Sequence, residues 1–446
     1  MSGHRSLRPF AVLLLLLLLL AGCDWVESML PSRKPPPLPG ERIAVMVNEG
    51  ELEADPRVAD LRVMLPKPYA NAAWPESGGV PTHAMYHLGL AAAPSKAWQV
   101  DIGDGSQKGR KLLSRPVVAD DRVFVMDIDF EISAYGAATG ERLWHHESKV
   151  PKEDREAFGG GLAYSMGRLY VTTGFGDVIA LDAQTGGQVW KQTLPGPMRA
   201  APTVAGGRLY VVTIDNQLNV LDADTGEKKW THTAISESAG LLGGGSVAVD
   251  GSTVVVPYSS GEIFAMRAEN GRVVWSDNLT AIRRIDAMAS LAHIRGSPVI
   301  DRGIVYAVSH SGRLVAIDQR SGARAWERSI GGVDMPWVAG EFIFVLSNDN
   351  ELYCLTREGG RIRWVQPLPR YENPDKKKDP IRWAGPVLAG DRLIVTGSHG
   401  EVMTVSPYTG EPLGRMSVPD GILMPPVVAK ETIYFLTDDA DLIAYR

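Results

Sequence analysis

The chain has 446 residues and balances 46 Lys and Arg against 52 Asp and Glu, a formal charge of −6. That balance gives no basic field for a phosphate backbone, and no long basic stripe stands out from it, so nucleic acid is excluded as a partner. With only two cysteines, Cys23 and Cys354, the chain has no disulfide framework to stabilise a small fold.

At the start of the chain Arg5 and Arg8 precede an apolar run over 10–20, which ends in Leu20-Ala21-Gly22-Cys23. The run is too short to span a bilayer comfortably, and the small residues before Cys23 suit a peptidase that cuts just ahead of it. Residues 1–22 therefore read as a signal peptide. The order Leu-Ala-Gly-Cys after such a run resembles the bacterial lipobox, which implies acylation of Cys23 and cleavage after Gly22. Removing Arg5 and Arg8 with the signal takes the charge from −6 by two further units to −8, on a protein that is membrane-anchored and not membrane-spanning. Asp24 resembles the residue that retains lipoproteins in the inner membrane of enteric bacteria. Sorting rules differ among bacteria, and the periplasmic face of the outer membrane is the expected location, with the inner membrane as the alternative.

Residues 23–40 include Pro31-Ser32-Arg33-Lys34-Pro35-Pro36-Pro37-Leu38-Pro39-Gly40, where proline removes the donors that a strand ladder needs, so they read as an extended tether. Over 41–95 there is no clear period; Asn71, Trp74, Pro75, Gly78 and Gly79 suggest an ordered but irregular segment. From residue 96 onward a unit recurs every 38 to 51 residues, the range in which each repeat is one supersecondary element that needs neighbours to bury its face. Its clearest copies are Ala180-Leu181-Asp182-Ala183-Gln184-Thr185-Gly186-Gly187-Gln188-Val189-Trp190 and Val220-Leu221-Asp222-Ala223-Asp224-Thr225-Gly226-Glu227-Lys228-Lys229-Trp230, with weaker ones ending at Trp144, Trp275, Trp326 and Trp364.

Short alternating apolar runs separated by turn residues argue for strands. Asp-x-x-Thr-Gly makes a tight hairpin, and a tryptophan four residues past the glycine falls on an outer strand, where its flat ring can fill the gap to the next sheet. Four strands per repeat in a radial array is a propeller blade. Third strands around Ile132, Val178, Leu218, Ile263, Leu314, Leu352, Val402 and Leu442 give an all-β, eight-bladed propeller over 96–446. The last copy stops at Tyr445-Arg446 without an outer strand, and Lys96-Ala97-Trp98-Gln99-Val100-Asp101 is expected to supply it, which closes the ring and removes its free edge. Cys354, within Leu352-Tyr353-Cys354-Leu355, reads as a packed, inert thiol.

The chain carries few candidate groups for chemistry. Asp349, Asp438, Asp439 and Asp441 sit in expected turns between strands, as do Asp215 and Asn216, where side-chain-to-backbone turns are the ordinary role. His83 and His87 have the spacing of a helical metal pair, but Ala84 stands where a zinc protease needs its glutamate. There is no nucleophile elbow and no Walker-type loop, and Gly243-Gly244-Gly245 is not followed by a helix. Neither a metal nor an organic cofactor is expected. Lys376-Lys377-Lys378 reads as a solvated charged loop or as a contact for anionic lipid headgroups.

The repeats resemble those of two families. Quinoprotein alcohol dehydrogenases bind pyrroloquinoline quinone and Ca²⁺; the BamB-type lipoproteins carry the repeat without a cofactor. The absence of a cysteine pair, together with the lipobox, blade number and terminal exchange, favours the second. That resemblance implies a non-catalytic scaffold of the outer-membrane β-barrel assembly complex, docked on the periplasmic domains of the barrel-assembly subunit BamA and near other members of the complex. A quinoprotein dehydrogenase or a generic periplasmic binding propeller is the runner-up. In the BamB-type family docking uses two loops of the middle blades. The first maps onto Ala239-Gly240-Leu241-Leu242-Gly243, with Leu241 in an apolar position and Leu242 where the family has arginine. The second maps onto 282–295, where Asp286 matches but the acidic positions fall on His293 and Arg295. Leu241 and Leu242 are thus the expected anchor and Arg283, Arg284 and Arg295 the rim charges; the same residues are equally readable as solvated loop positions.

Overall fold

The repeat's turn chemistry sets the geometry of each blade. In the second repeat Asp182 accepts hydrogen bonds from the amides of Gln184 (3.0 Å) and Thr185 (2.8 Å) and from the Thr185 hydroxyl (2.9 Å), and Gly186 closes the turn at φ +74°. The carboxylate thus satisfies turn donors that no strand could reach, and only glycine holds that φ without steric cost. The computed structural model describes residues 52–148, 159–198, 200–237, 240–280 and 291–446. Cys23, Asp24, the signal segment and the tether lie outside the described residues.

Eight four-stranded antiparallel sheets follow one another, over 117–146, 160–193, 203–233, 248–278, 299–328, 337–367, 383–417 and 427–445. They are numbered blades 1 to 8 below. In blade 8 the fourth strand is Lys96–Asp101, paired antiparallel with Asp441–Tyr445. This is the strand exchange that the truncated last repeat predicts.

The interblade tryptophans do two things. Each ring lies on the turn glycine of the following blade: a Cβ on Gly186 would stand 2.7 Å from the Trp144 ring, and one on Gly226 would stand 2.8 Å from Trp190. Each indole N–H also donates to a backbone carbonyl of that blade, Trp144 to Ala183 (3.0 Å) and Trp190 to Ala223 (3.1 Å). The repeat glycine is therefore fixed by its φ and by the flat ring against it. Trp98 on the exchanged strand does the same for Gly140 of blade 1. Blade 7 has no such tryptophan on Pro412–Ser417. Its neighbour explains this, because blade 8 borrows its fourth strand from the N-terminal side and has no third-to-fourth turn to present a glycine.

The segment without a period turns out to be a belt. A short 3-10 turn, Pro56–Val58, lies beside blade 6, where Arg363 donates to the Leu61 carbonyl (2.6 Å). Residues 69–90 then circle the propeller axis and meet the innermost strand of every blade in turn. The Asn71 amide donates to Val428 of blade 8 (2.7 Å), and Trp74 exchanges two backbone bonds with Val118 of blade 1 (2.7 and 2.9 Å). The Pro75 carbonyl accepts from Tyr164 of blade 2 (2.7 Å), and the Glu76 carboxyl from Val204 of blade 3 (2.9 Å). Pro81 accepts from Val249 of blade 4 (2.7 Å), Thr82 from Ile300 of blade 5 (2.9 Å), and Tyr86 from the Trp337 indole of blade 6 (2.7 Å). Leu88 completes the circuit with Leu388 and Gly390 of blade 7 (3.2 and 2.9 Å). The inner edge of a blade is an open row of backbone groups, and the belt pairs with a backbone group on seven of them and with the Trp337 side chain on blade 6.

Each blade is an antiparallel meander, so the connections between blades gather on one face together with the second-to-third turns. The belt pairs near the ends of the inner strands that point to the other face. Access to the axis is therefore from the face of the interblade loops.

Candidate functional site

The expected docking loop lies between blades 3 and 4 on that face. Leu242 is 43% exposed, whereas Leu241 is half-buried. The loop is braced by its neighbour between blades 4 and 5: the Leu241 amide donates to His293 Nδ1 (3.0 Å), and Arg295 Nε donates to the Leu242 carbonyl (2.8 Å). Gly243 adopts φ +81° with Arg295 packed against it, 3.3 Å from where a Cβ would stand. His293 is itself buried, so it holds the loop from beneath. Arg295 is a brace as much as a surface charge; it also donates to the Val333 carbonyl (3.3 Å) and stands 3.7 Å from Asp334. Arg283, Arg284 and Asp286 lie outside the described residues.

Beside this loop is a cavity of about 300 Å³ between blades 3 and 4, lined by Val212, Ile214, Asn216, Gly240, Pro257 and His293 among others. Ile235, on the same interblade connection as Leu242, is 62% exposed. Asn216 orders this region, donating to the Ile235 carbonyl (2.6 Å) and accepting from the Ser259 amide (3.1 Å) and hydroxyl (3.0 Å). Ile235 and the cavity have no signature in the sequence: an isolated isoleucine after a strand carries no pattern, and the cavity is made by two repeats side by side. The lysine run lies in a small exposed hairpin of Tyr371–Asn373 with Lys378–Pro380, on the same face.

The other candidates are absorbed into the fold. His83 and His87 lie in the belt, outside any helix; His83 Nδ1 is 2.7 Å from the Pro298 carbonyl, and His87 Nδ1 is 2.8 Å from that of Pro66. Burial pulls His83 down to about 4, so it is neutral at pH 7. Glu76 is fully buried, with one oxygen accepting from Val204 and the other without a partner, and burial pushes it up to about 8. Asp438, which faces Ser106, is raised to about 6, also by burial. Among the described residues no three His, Cys, Asp or Glu side chains converge into a cation site.

Eight blades, their Asp-x-x-Thr-Gly turns and the indoles between them define an eight-bladed propeller of the pyrroloquinoline-quinone-like repeat class. Within that class, the family described as outer membrane protein assembly factor BamB matches residues 128–366. The chain belongs to this family. It is 30% identical to "Outer membrane protein assembly factor BamB" of Escherichia coli strain K12, covering 75% of this chain and 84% of that one. With the Yersinia pestis protein of the same name it shares 26% over 79% of this chain and 89% of the other. Among solved structures, BamB from Moraxella catarrhalis superposes with a TM-score of 0.67 at 18% identity, over 79% of this chain and all of that one. Quinohemoprotein alcohol dehydrogenase from Comamonas testosteroni gives 0.63 at 15% identity, over 84% and 80%. The two structures share the fold; at those identities they do not separate a scaffold from an enzyme.

Proposed function

We propose that the protein is a non-catalytic assembly factor for outer-membrane β-barrel proteins, held by an acylated Cys23 at the periplasmic face of the outer membrane. In this reading it docks through its loop face onto BamA and helps clients fold and insert. Membership of the BamB family carries the reading, and the bracing of the Leu241-Leu242 loop by His293 and Arg295 supports the choice of that loop as the docking element. Among the described residues no helix is long and apolar enough to cross a membrane, in keeping with a lipid anchor.

Leu242, presented on a loop whose backbone is held by Arg295 and His293, has the character of an interface anchor, because a loop that is already braced has less left to order on binding. Leu241→Ala with Leu242→Ala should abolish co-purification with BamA from crosslinked native membranes, a loss on the order of 2 kcal/mol or more for a true anchor. Arg283→Ala with Arg284→Ala should weaken capture modestly, and only at low salt. Undiminished capture by the leucine double variant, with an unchanged unfolding midpoint, would remove this loop as the docking site. Fractionation of the acylated protein into the inner membrane alone would overturn the location.

A further inference from the structure

At the axis, on the loop face and beyond the belt, lies a second cavity of about 50 Å³. Its wall is built from the segments that lead into the inner strands of most blades, and the belt contributes Ser77. Among the described residues, the charged side chains that line it are Arg115 from the approach to blade 1 and Arg295 from the approach to blade 5. One carboxylate stands near both: Asp334 is 4.0 Å from Arg115 and 3.7 Å from Arg295, and its other oxygen accepts from the Gly385 amide (3.1 Å). These separations are too long for hydrogen bonds, so the carboxylate balances charge without occupying the guanidinium donors. Arg115 makes one hydrogen bond among the described residues, to the Ser77 carbonyl (3.2 Å).

Two cations thus share one anion in a confined space. Among the described residues, the nearby titratable groups do not supply a second negative charge. Glu76, next to Ser77 in the belt, is held in its neutral form by burial, and His83, which feels the Arg115 charge, is neutral as well. Arg115 is drawn down to about 10, chiefly by burial and further by the charge of Arg295, while Asp334 opposes the shift. The side chains of Arg115 and Arg295 nonetheless keep 19% and 24% of their surface open to water-sized contact. An arrangement of this kind, a net positive charge with open planar donors in a space larger than one water, matches a small planar or tetrahedral oxyanion.

We propose that the axial mouth of the propeller is a binding site for a single oxyanion, a carboxylate or a phosphate group, held between Arg115 and Arg295. Arg295 also fixes the Leu242 carbonyl, so the same guanidinium serves the axial site and the neighbouring loop. The proposal does not depend on docking, because the ligand is read on the protein alone.

The test is calorimetric titration of the full mature chain with sodium acetate, and separately with inorganic phosphate, against sodium chloride at equal ionic strength. Saturable binding of one acetate or one phosphate per chain, without an equal effect of chloride, is expected; which of them binds assigns the ligand as carboxylate or phosphate. Arg115→Gln should weaken that binding by about tenfold or more, since a charge-assisted pair is lost. Arg295→Gln, at a more accessible position, is the companion variant should Arg115→Gln fail to fold. No saturation by either anion below about 10 mM, the range of a weak single-site contact, would overturn the proposal. So would equal binding of chloride, or affinity unchanged in a folded Arg115→Gln or Arg295→Gln protein.

Discussion

Glu76 is an unusual residue to find at the centre of a propeller, since a carboxyl without full pairing is costly to ionise in the interior. Its ordinary value of 4.5 rises to about 8 through burial, with the Val204 amide acting weakly in the other direction. The sign of the pH dependence follows. Below 4.5 the group is protonated whether the chain is folded or not. Between 4.5 and 8 the unfolded chain ionises while the folded one keeps its proton, so stability falls as pH rises, and the loss is complete above 8. His83 acts at the other end: its ordinary 6.5 drops to about 4, so its contribution is intact above 6.5 and is lost as pH falls through 4. Glu76→Gln keeps an oxygen for the Val204 amide and removes the titration. Urea unfolding at pH 5 and pH 9 should show the variant close to wild type at the lower pH and more stable at the higher, by on the order of a few kcal/mol. Parallel loss of stability in both proteins between these pH values would show that Glu76 does not titrate in this way.

Among the elements, the belt is the one whose role rests on position more than on sequence. Asn71 is buried, and its side-chain amide bridges the Ala73 carbonyl (3.0 Å) and the Val428 carbonyl (2.7 Å), while its backbone carbonyl accepts from the Lys430 backbone amide (2.8 Å). Asn71→Ala leaves the Val428 carbonyl without this donor at the point where the belt begins its circuit, an expected cost of about 1–3 kcal/mol. Limited proteolysis should then cut within residues 52–95 before it cuts any blade, whereas the wild-type belt resists. Cleavage that begins in the blades of both proteins would show that this anchor does not hold the belt. The blades were legible in the sequence because each one repeats the same turn and the same indole-on-glycine contact, so eight copies reinforce one another. The belt was not, because it meets eight different partners once each and has no reason to repeat. Gly78 and Gly79 could be flagged as ordered, but not explained: a Cβ on them would stand 2.2 Å from the His83 ring and 2.3 Å from Met85, contacts made within the belt itself. The proposed docking loop was legible only through the family resemblance. Its bracing by His293 and Arg295 joins positions some fifty residues apart, and no local pattern announces such a pair.

At the scale of the whole molecule, the ring is closed covalently nowhere; the strand Lys96–Asp101 holds its ends together through pairing with Asp441–Tyr445 and through Trp98. Trp98 donates to the Ala137 carbonyl of blade 1 (3.1 Å) and lies over Gly140, so it spans the seam between the last blade and the first. Cys354 reports on what happens when that seam weakens. It is buried in the third strand of blade 6, and burial pushes its thiol well above the ordinary range, so neither access nor ionisation favours reaction in the folded protein. In a Cys23→Ser protein it is the sole thiol. If the ring unfolds as one unit, labelling of Cys354 by a thiol reagent follows the population of the opened ring, even though blade 6 does not touch the seam. Trp98→Ala removes a half-buried indole and its hydrogen bond, a loss of about 2 kcal/mol, and should raise the labelling rate by about tenfold or more. An unchanged rate alongside a lowered unfolding midpoint would mean that blade 6 opens independently of the seam, and that the belt, which ties all eight inner strands, holds the ring together without it.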